Sequence, residues 1–219
     1  MTAEGTTTPP AARHILLVDD HELVRVGVRA LYSELHGVPL QWHEAATLHE
    51  ALRLYASTPG IDLVLLDLNL SDCRGLQGLR QFRQAHPTAR IAVFSGTQDE
   101  FVVRQARALG AVGYVGKDTS APMHDMLAGL LWPAGRPGAQ GSVPTQALFP
   151  RMPASAMYDR VAELGPRHLE ILELVLSGCT NQEISRSTQL SLGTVKNYVS
   201  SLLLALDVRS RSHLISVFR

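Results

Sequence analysis

Five side chains among residues 13–131 of this 219-residue chain carry chemistry if folding brings them together: Asp19, Asp20, Asp67, Ser95 and Lys117. Three carboxylates at close range repel one another, and each raises the others' pKa unless a cation sits among them. A hard divalent ion answers that need. Mg²⁺ takes oxygen ligands and keeps waters that phosphoryl oxygens can replace. Lys117 adds a compact positive charge and Ser95 a hydroxyl donor, both suited to a phosphoryl group. A carboxylate can itself be a nucleophile that forms an acyl phosphate, and Asp67 is the choice for that role. Asp at a strand-to-helix turn is commonly only a helix cap. That accounts for any one of these residues, but poorly for all five.

Convergence requires a particular set of elements. Five β-rich runs, residues 14–18, 39–45, 62–66, 90–94 and 111–115, alternate with helical patterns over 22–35, 48–56, 76–85, 100–109 and 119–131. Such alternation predicts an α/β domain with a doubly wound, five-stranded parallel sheet covered on both faces. Ligands bind such sheets beyond the carboxyl ends of the strands. Asp19 and Asp20 follow the first run, Asp67 the third and Ser95 the fourth, while the fifth leads through Gly116 to Lys117.

The bulk composition excludes other classes. With 45% hydrophobic and 18% charged residues the chain reads as a globular protein. No stretch approaches the ~18 uninterrupted apolar residues of a membrane span. Residues 1–12 lack the basic start and apolar core of a secretory signal and read as a disordered leader. Cys73 and Cys179 match no zinc or disulfide spacing and read as free thiols, and the nine histidines form no HExxH cluster. Residues 132–157, rich in Pro, Gly, Ala and Ser, read as a flexible linker between residues 13–131 and 158–219.

The second segment reads as a small all-α unit of four helices over 165–178, 180–190, 191–207 and 211–218. Thr180 with Glu183 three residues later has the capping-box pattern. Two short helices joined by a tight turn, the second polar near its start, suit a helix-turn-helix.

Motifs in both halves are specific. VDDH (18–21), LLDLNLSDCRGL (65–76), VFSG (93–96) and GYVGKD (113–118) resemble the receiver domain of two-component response regulators, a flavodoxin-like fold. LGPRHLEIL, SGCTNQEIS and SLGTVKNYVSSLL resemble the LuxR-type helix-turn-helix of the NarL/FixJ class, whose architecture is a receiver joined to this module. The receiver resemblance implies Asp67 as phosphoacceptor. It implies Mg²⁺ held by Asp19, Asp20, Asp67 and the backbone carbonyl of Asn69, phosphoryl contacts from Ser95 and Lys117, and a switch formed by Ser95 and Tyr114. The LuxR resemblance implies a recognition helix over 191–206, with Lys196, Asn197 and Ser200 facing base edges and Thr180, Asn181 and Thr194 contacting phosphates. Its implied partners are a sensor histidine kinase, double-stranded DNA with two half-sites and a second copy of the chain, in a bacterial cytoplasm. The chain would then be a regulator rather than a turnover enzyme.

The chain departs from those patterns in places. Ser71 replaces a usual Pro and Gly116 a larger residue; Ser201, Leu204 and Ala205 stand where bases are usual; Asp207 replaces a helix-ending Gly and His168 an acid. Residues 159–219 carry seven bases against six acids, so weak DNA affinity is expected of a monomer. A signalling adaptor acting through protein contacts is the competing reading. A phosphatase is disfavoured because Asn69, not an acid, stands two residues after Asp67. No GxxxxGK[ST] loop marks a nucleotide hydrolase. Of 20 basic residues only Lys117 and Lys196 are lysines, one at the implied phosphoryl contact and one at the implied base contact.

Overall fold

The computed structural model describes residues 11–96, 100–117, 123–133, 148–150, 160–161 and 163–218. The element order in the first segment is β1 (Arg13–Val18), α1 (Glu22–Leu31), β2 (Glu34–Leu35), β3 (Val38–Ala45), α2 (Leu48–Ser57), β4 (Ile61–Leu66), α3 (Gln77–Ala85), β5 (Ile91–Ser95), α4 (Glu100–Ala108), β6 (Gly113–Gly116) and α5 (Met123–Leu131). The sheet order is β2-β3-β1-β4-β5-β6. All neighbours are parallel except the two-residue β2, which pairs antiparallel with β3. Ile15–Val18 and Leu63–Leu66 are solvent-inaccessible, as central parallel strands must be when helices cover both faces.

The chain leaves β1 toward β3 on one side and returns to place β4 on the other. The β1/β4 boundary is therefore the point where strand order reverses and a crevice opens at the carboxyl edge. Val18 and Leu66 are register partners, which sets Asp19 beside Asp67. The Asp67 N–H donates to the Val18 carbonyl at 2.9 Å, and the Asp19 N–H to Ala45 at 3.1 Å.

Two expectations need correction. The sheet has six strands rather than five, and the first helix ends at Leu31 rather than at residue 35. Leu31 and Leu35 share helical spacing, so periodicity alone extends the helix. Instead the chain turns at His36 and Gly37, both at positive φ (54° and 76°), into a hairpin that buries Leu35. Positive φ at both central residues is what a tight hairpin turn requires. The indole N–H of Trp42 donates to the Tyr32 carbonyl at 2.6 Å and so serves a backbone acceptor just past α1. The helix expected from 119 begins, among the described residues, at Met123.

The leader falls almost wholly outside the described residues, as does most of the expected linker. Within that linker Trp132, Leu148 and Phe149 are described and buried, and the Arg107 guanidinium lies 5.5 Å from the Phe149 ring centre. In the second segment α6 (Pro166–Leu176), α7 (Asn181–Thr188), α8 (Leu192–Ala205) and α9 (Arg211–Val217) pack around Ile171, Val175, Ile184, Val195, Leu202 and Leu214. No helix of the described residues is long and apolar enough to cross a membrane.

Gly113 in β6 admits a close approach, since a Cβ there would lie 2.8 Å from Leu130 Cδ2 and 3.1 Å from the Leu148 carbonyl. Gly113→Ala is expected to destabilise the fold by about 1–3 kcal/mol, as overpacking does. The midpoint of urea unfolding measures it, and an unchanged midpoint would mean that residues 148–150 do not close over β6.

Candidate functional site

At the carboxyl edge, the ends of β1, β4, β5 and β6 bring the expected residues together. Asp19 is fully buried and Asp67 nearly so (3% exposed), whereas Asp20 is partly open to solvent. The Lys117 ammonium lies 2.7 Å from Asp19 Oδ2 and 2.9 Å from Asp67 Oδ2, one cation bridging two carboxylates that the sequence separates by 48 positions. It also sits 5.4 Å from the centre of the Phe94 ring. Its backbone is tied to β5 by the bond from its N–H to the Ser95 carbonyl at 2.9 Å. Ser95 and Tyr114 are both fully buried.

Burial pushes the Asp67 carboxyl above its ordinary value. Lys117 and the Asn69 N–H pull it back, and Asp19 adds to the rise. For Lys117, burial works against the charge, but hydrogen bonds to Asp19 and Asp67 and their charges outweigh it, so its pKa is raised and the ammonium stays ionised. The second Asp67 oxygen, Oδ1, accepts the Leu68 N–H at 2.7 Å.

One participant escaped sequence reasoning. His21 donates its N–H to Asp19 Oδ1 at 3.0 Å, and its Nδ1 lies 3.1 Å from that oxygen and 2.9 Å from Asp20 Oδ1. Ligand atoms of Asp19, Asp20, His21 and Asp67 all lie within 4.8 Å of one another. The signal was present in VDDH, but a single His beside two acids also fits a solvated turn. The donor set suits a hard cation: three carboxylates converge, with Lys117 and His21 against them. Asn69 is exposed and bridges to Arg74 across the loop after β4.

The second segment presents a different surface. Thr180 caps α7: its hydroxyl accepts the Glu183 N–H while the Glu183 side chain accepts the Thr180 N–H, the full capping box. Asn181 Oδ1 accepts from Arg211 at 3.2 Å. The same guanidinium donates to the Cys179 carbonyl and so ties α9 to the turn before α7. Gln189 takes φ of 57° in the turn to α8, and Ser191 caps α8 by accepting the Thr194 N–H. Lys196, Asn197 and Ser200 are exposed along α8, with no side-chain hydrogen bond or ion pair among the described residues. Leu204, on the same face, is 82% exposed. Asp207 adopts φ of 55°, the left-handed position that a helix-ending Gly usually fills. His168 contacts α8 through Ser201 Oγ at 3.2 Å and the Tyr198 ring.

Comparison with known proteins matches residues 15–127 to the response regulator receiver domain and residues 162–218 to the bacterial regulatory proteins of the luxR family. The chain is 34% identical over 203 residues to the nitrate/nitrite response regulator protein NarL of Escherichia coli (strain K12), covering 90% of each. The chain belongs to the NarL/FixJ-class response regulators. It is also similar to the response regulator protein VraR of Staphylococcus aureus (strain NCTC 8325 / PS 47), at 28% identity with 90% of this chain and 92% of VraR covered. RcsB of Salmonella enterica serovar Typhimurium, bound to the promoter rprA with the phosphomimetic BeF3−, shares the fold. Its TM-score is 0.70 at 17% identity, over 94% of this chain and 98% of that one. As a response regulator with a LuxR-type module, the protein is a transcription regulator activated by phosphorylation. Receivers normally bind Mg²⁺ at an acidic pocket, and the acidic cluster here fits one.

The raised pKa of Asp67 makes a prediction for this response regulator. A carboxyl whose pKa is raised by folding binds its proton more tightly in the native state. Its ionisation therefore costs stability as pH rises from the ordinary 3.8 through the raised value. Asp67→Asn removes that cost. The variant is expected to melt higher than the parent at pH 7 without added Mg²⁺, with the gain shrinking toward pH 4. Calorimetry across that range checks it; equal melting temperatures throughout would mean that Asp67 is not strained by burial.

Proposed function

We propose that Asp67 is the phosphoacceptor of this transcription regulator, loaded by a sensor histidine kinase. The observation that carries the reading is the placement of one half-buried ammonium, Lys117, against both of the buried carboxylates Asp19 and Asp67. An Asp67 oxygen attacks phosphorus, the P–N bond of the kinase phosphohistidine breaks, and the imidazole departs with the electron pair and takes up a proton. Lys117 exchanges a carboxylate oxygen for a phosphoryl oxygen, and the Ser95 hydroxyl donates to another. Asp19, Asp20, Asp67 and the backbone carbonyl of Asn69 would hold Mg²⁺, which supplies charge neutralisation among the carboxylates and the phosphoryl oxygens. His21, bonded to Asp19 and near Asp20, orients the two acids.

Ser95 and Tyr114 form the switch, in which the aromatic side chain lies inward when Ser95 is drawn toward phosphate. Tyr114 is fully buried here. The functional division is a leader (1–12), a receiver (13–131), a linker (132–157) and a DNA-binding module (158–219). In the module, α8 enters the major groove. Lys196 donates to guanine O6 and N7, Asn197 pairs with an adenine edge, and Ser200 completes the reading face. Thr180, Asn181 and Thr194 lie against phosphates. Two copies engage two half-sites, because seven bases against six acids leave one module with little electrostatic affinity. The protein works in the bacterial cytoplasm. Leu204, standing bare on the reading face, favours the second reading, an adaptor whose output is a protein contact.

Two measurements decide. Incubation with a small phosphodonor and Mg²⁺ is expected to label the protein, and Asp67→Asn to abolish the label; a persistent label would move the nucleophile elsewhere. Selection of genomic DNA by the phosphorylated protein is expected to recover a two-half-site sequence. Lys196→Ala should weaken binding to it by about 1–3 kcal/mol, the scale of one base contact. Recovery of no sequence above background would establish the adaptor.

A further inference from the structure

The DNA-binding module carries a buried carboxylate that none of the preceding chemistry uses. Glu173 lies in the middle of α6 and is 1% exposed. Its carboxylate reaches the receiver: Oε1 accepts the N–H of Leu76, the residue capping α3, and Oε2 lies 2.8 Å from Arg80 Nη2, one turn further along α3. A helix N-terminus presents unpaired N–H groups and the positive end of its dipole, and α3 offers both to this carboxylate. Gly75, at φ +63°, makes room for it, since a Cβ there would lie 2.7 Å from Glu173 Oε1 and 3.2 Å from Ser177 Oγ. Around this seat Ser187 donates to Gln77 at 2.8 Å, Arg74 faces Glu183 at 3.9 Å, and Phe101 packs edge-on against Phe218 with ring centres 5.8 Å apart.

We propose that Glu173 is an interdomain latch: seated on the N-terminus of α3 and on Arg80, it holds the DNA-binding module against the loop that runs from Asp67. That loop is short and internally bonded. The Leu68 N–H bonds Asp67, the Gly75 N–H bonds the Leu68 carbonyl at 2.6 Å, and Leu70 pairs with Cys73. A shift at Asp67 therefore reaches Leu76 through few bonds. The docked module leaves Lys196, Asn197 and Ser200 exposed, so the latch sets the orientation of the reading helix rather than covering it.

The latch is built to open. Glu173 Oε2 and Arg80 Nη1 are buried without a hydrogen-bond partner among the described residues, so the ion pair is close but incompletely satisfied. Burial outweighs Arg80 and the Leu76 N–H and lifts the carboxyl to about 7, with Glu170 adding to the rise. An incompletely bonded buried pair returns little more in the docked state than water returns to the same groups after release.

The test uses the full-length chain. Small-angle scattering gives its radius of gyration, and the Leu76 amide resonance reports the seat. Glu173→Gln is expected to shift the docked-to-undocked ratio by about tenfold toward release, the scale of a charge-assisted hydrogen bond, with a larger radius and a displaced Leu76 amide. Arg80→Gln, a change at a partly exposed receiver side chain, should do the same, and the double variant should add little beyond either single one. Wild-type radius and Leu76 resonance in both single variants would overturn the latch. Beryllofluoride with Mg²⁺ should move the Leu76 amide in the parent but not in Asp67→Asn; an unmoved amide in beryllofluoride-bound parent would overturn the coupling. Only the input rests on the assignment of Asp67. If phosphodonor labelling persisted in Asp67→Asn, that assignment would fail while the docking results of Glu173→Gln stood.

Discussion

A single half-buried ammonium organises this receiver. Two carboxylates, Asp19 and Asp67, are taken almost wholly out of water at the end of β1 and β4, and nothing in the apolar strands behind them can neutralise charge. Lys117 reaches both from the end of β6. Removing a carboxylate from water costs several kcal/mol, so the pocket exists only because an opposing charge arrives from a distant strand. Buried strands without interior charge, the β1/β4 reversal and the tie from the Lys117 backbone to Ser95 all serve to deliver that one contact. The same constraint makes the pocket responsive. A group bonded to two carboxylates can transfer its bonds to a phosphoryl oxygen without moving far.

The DNA-binding module is held by backbone capping more than by charge. Thr180, Ser191 and Ser210 each accept an N–H in the first turn of their helices, and Arg211 ties the last helix to the carbonyl of Cys179. These bonds place α8 with Lys196, Asn197 and Ser200 outward. They engage the Thr180 hydroxyl and the Asn181 amide oxygen within the module. The two cysteines behave as their burial dictates. Both are free thiols, and Cys73 is pushed up to about 11, far from a reactive thiolate.

Much of this was legible from residue order because parallel strands are near-continuous apolar runs and their ends are marked by polar residues. Asp19, Asp20, Asp67, Ser95 and Lys117 each follow such a run, and the capping box at Thr180 is a local signal that needs no tertiary information. The hairpin at Glu34–Leu35 was not legible. Leu31 and Leu35 obey helical spacing, and only the pairing of Leu35 with Val38 shows that the helix has ended. His21 was overlooked because a His in a turn is ordinary until its ring is seen between two carboxylates.

By itself the sequence determined the chemistry available: which oxygens, which ammonium, which reading-helix side chains, and two units with a Pro- and Gly-rich stretch between them. These follow from local patterns, where burial on both faces or capping of one turn selects residue type directly. Only the tertiary structure decided that Lys117 bridges Asp19 and Asp67, that His21 joins them, and that Glu173 turns away from its own module to seat on α3. Each of those joins residues far apart in the chain or across a turn. Their energy depends on distance and on exclusion of water, quantities that residue order does not contain.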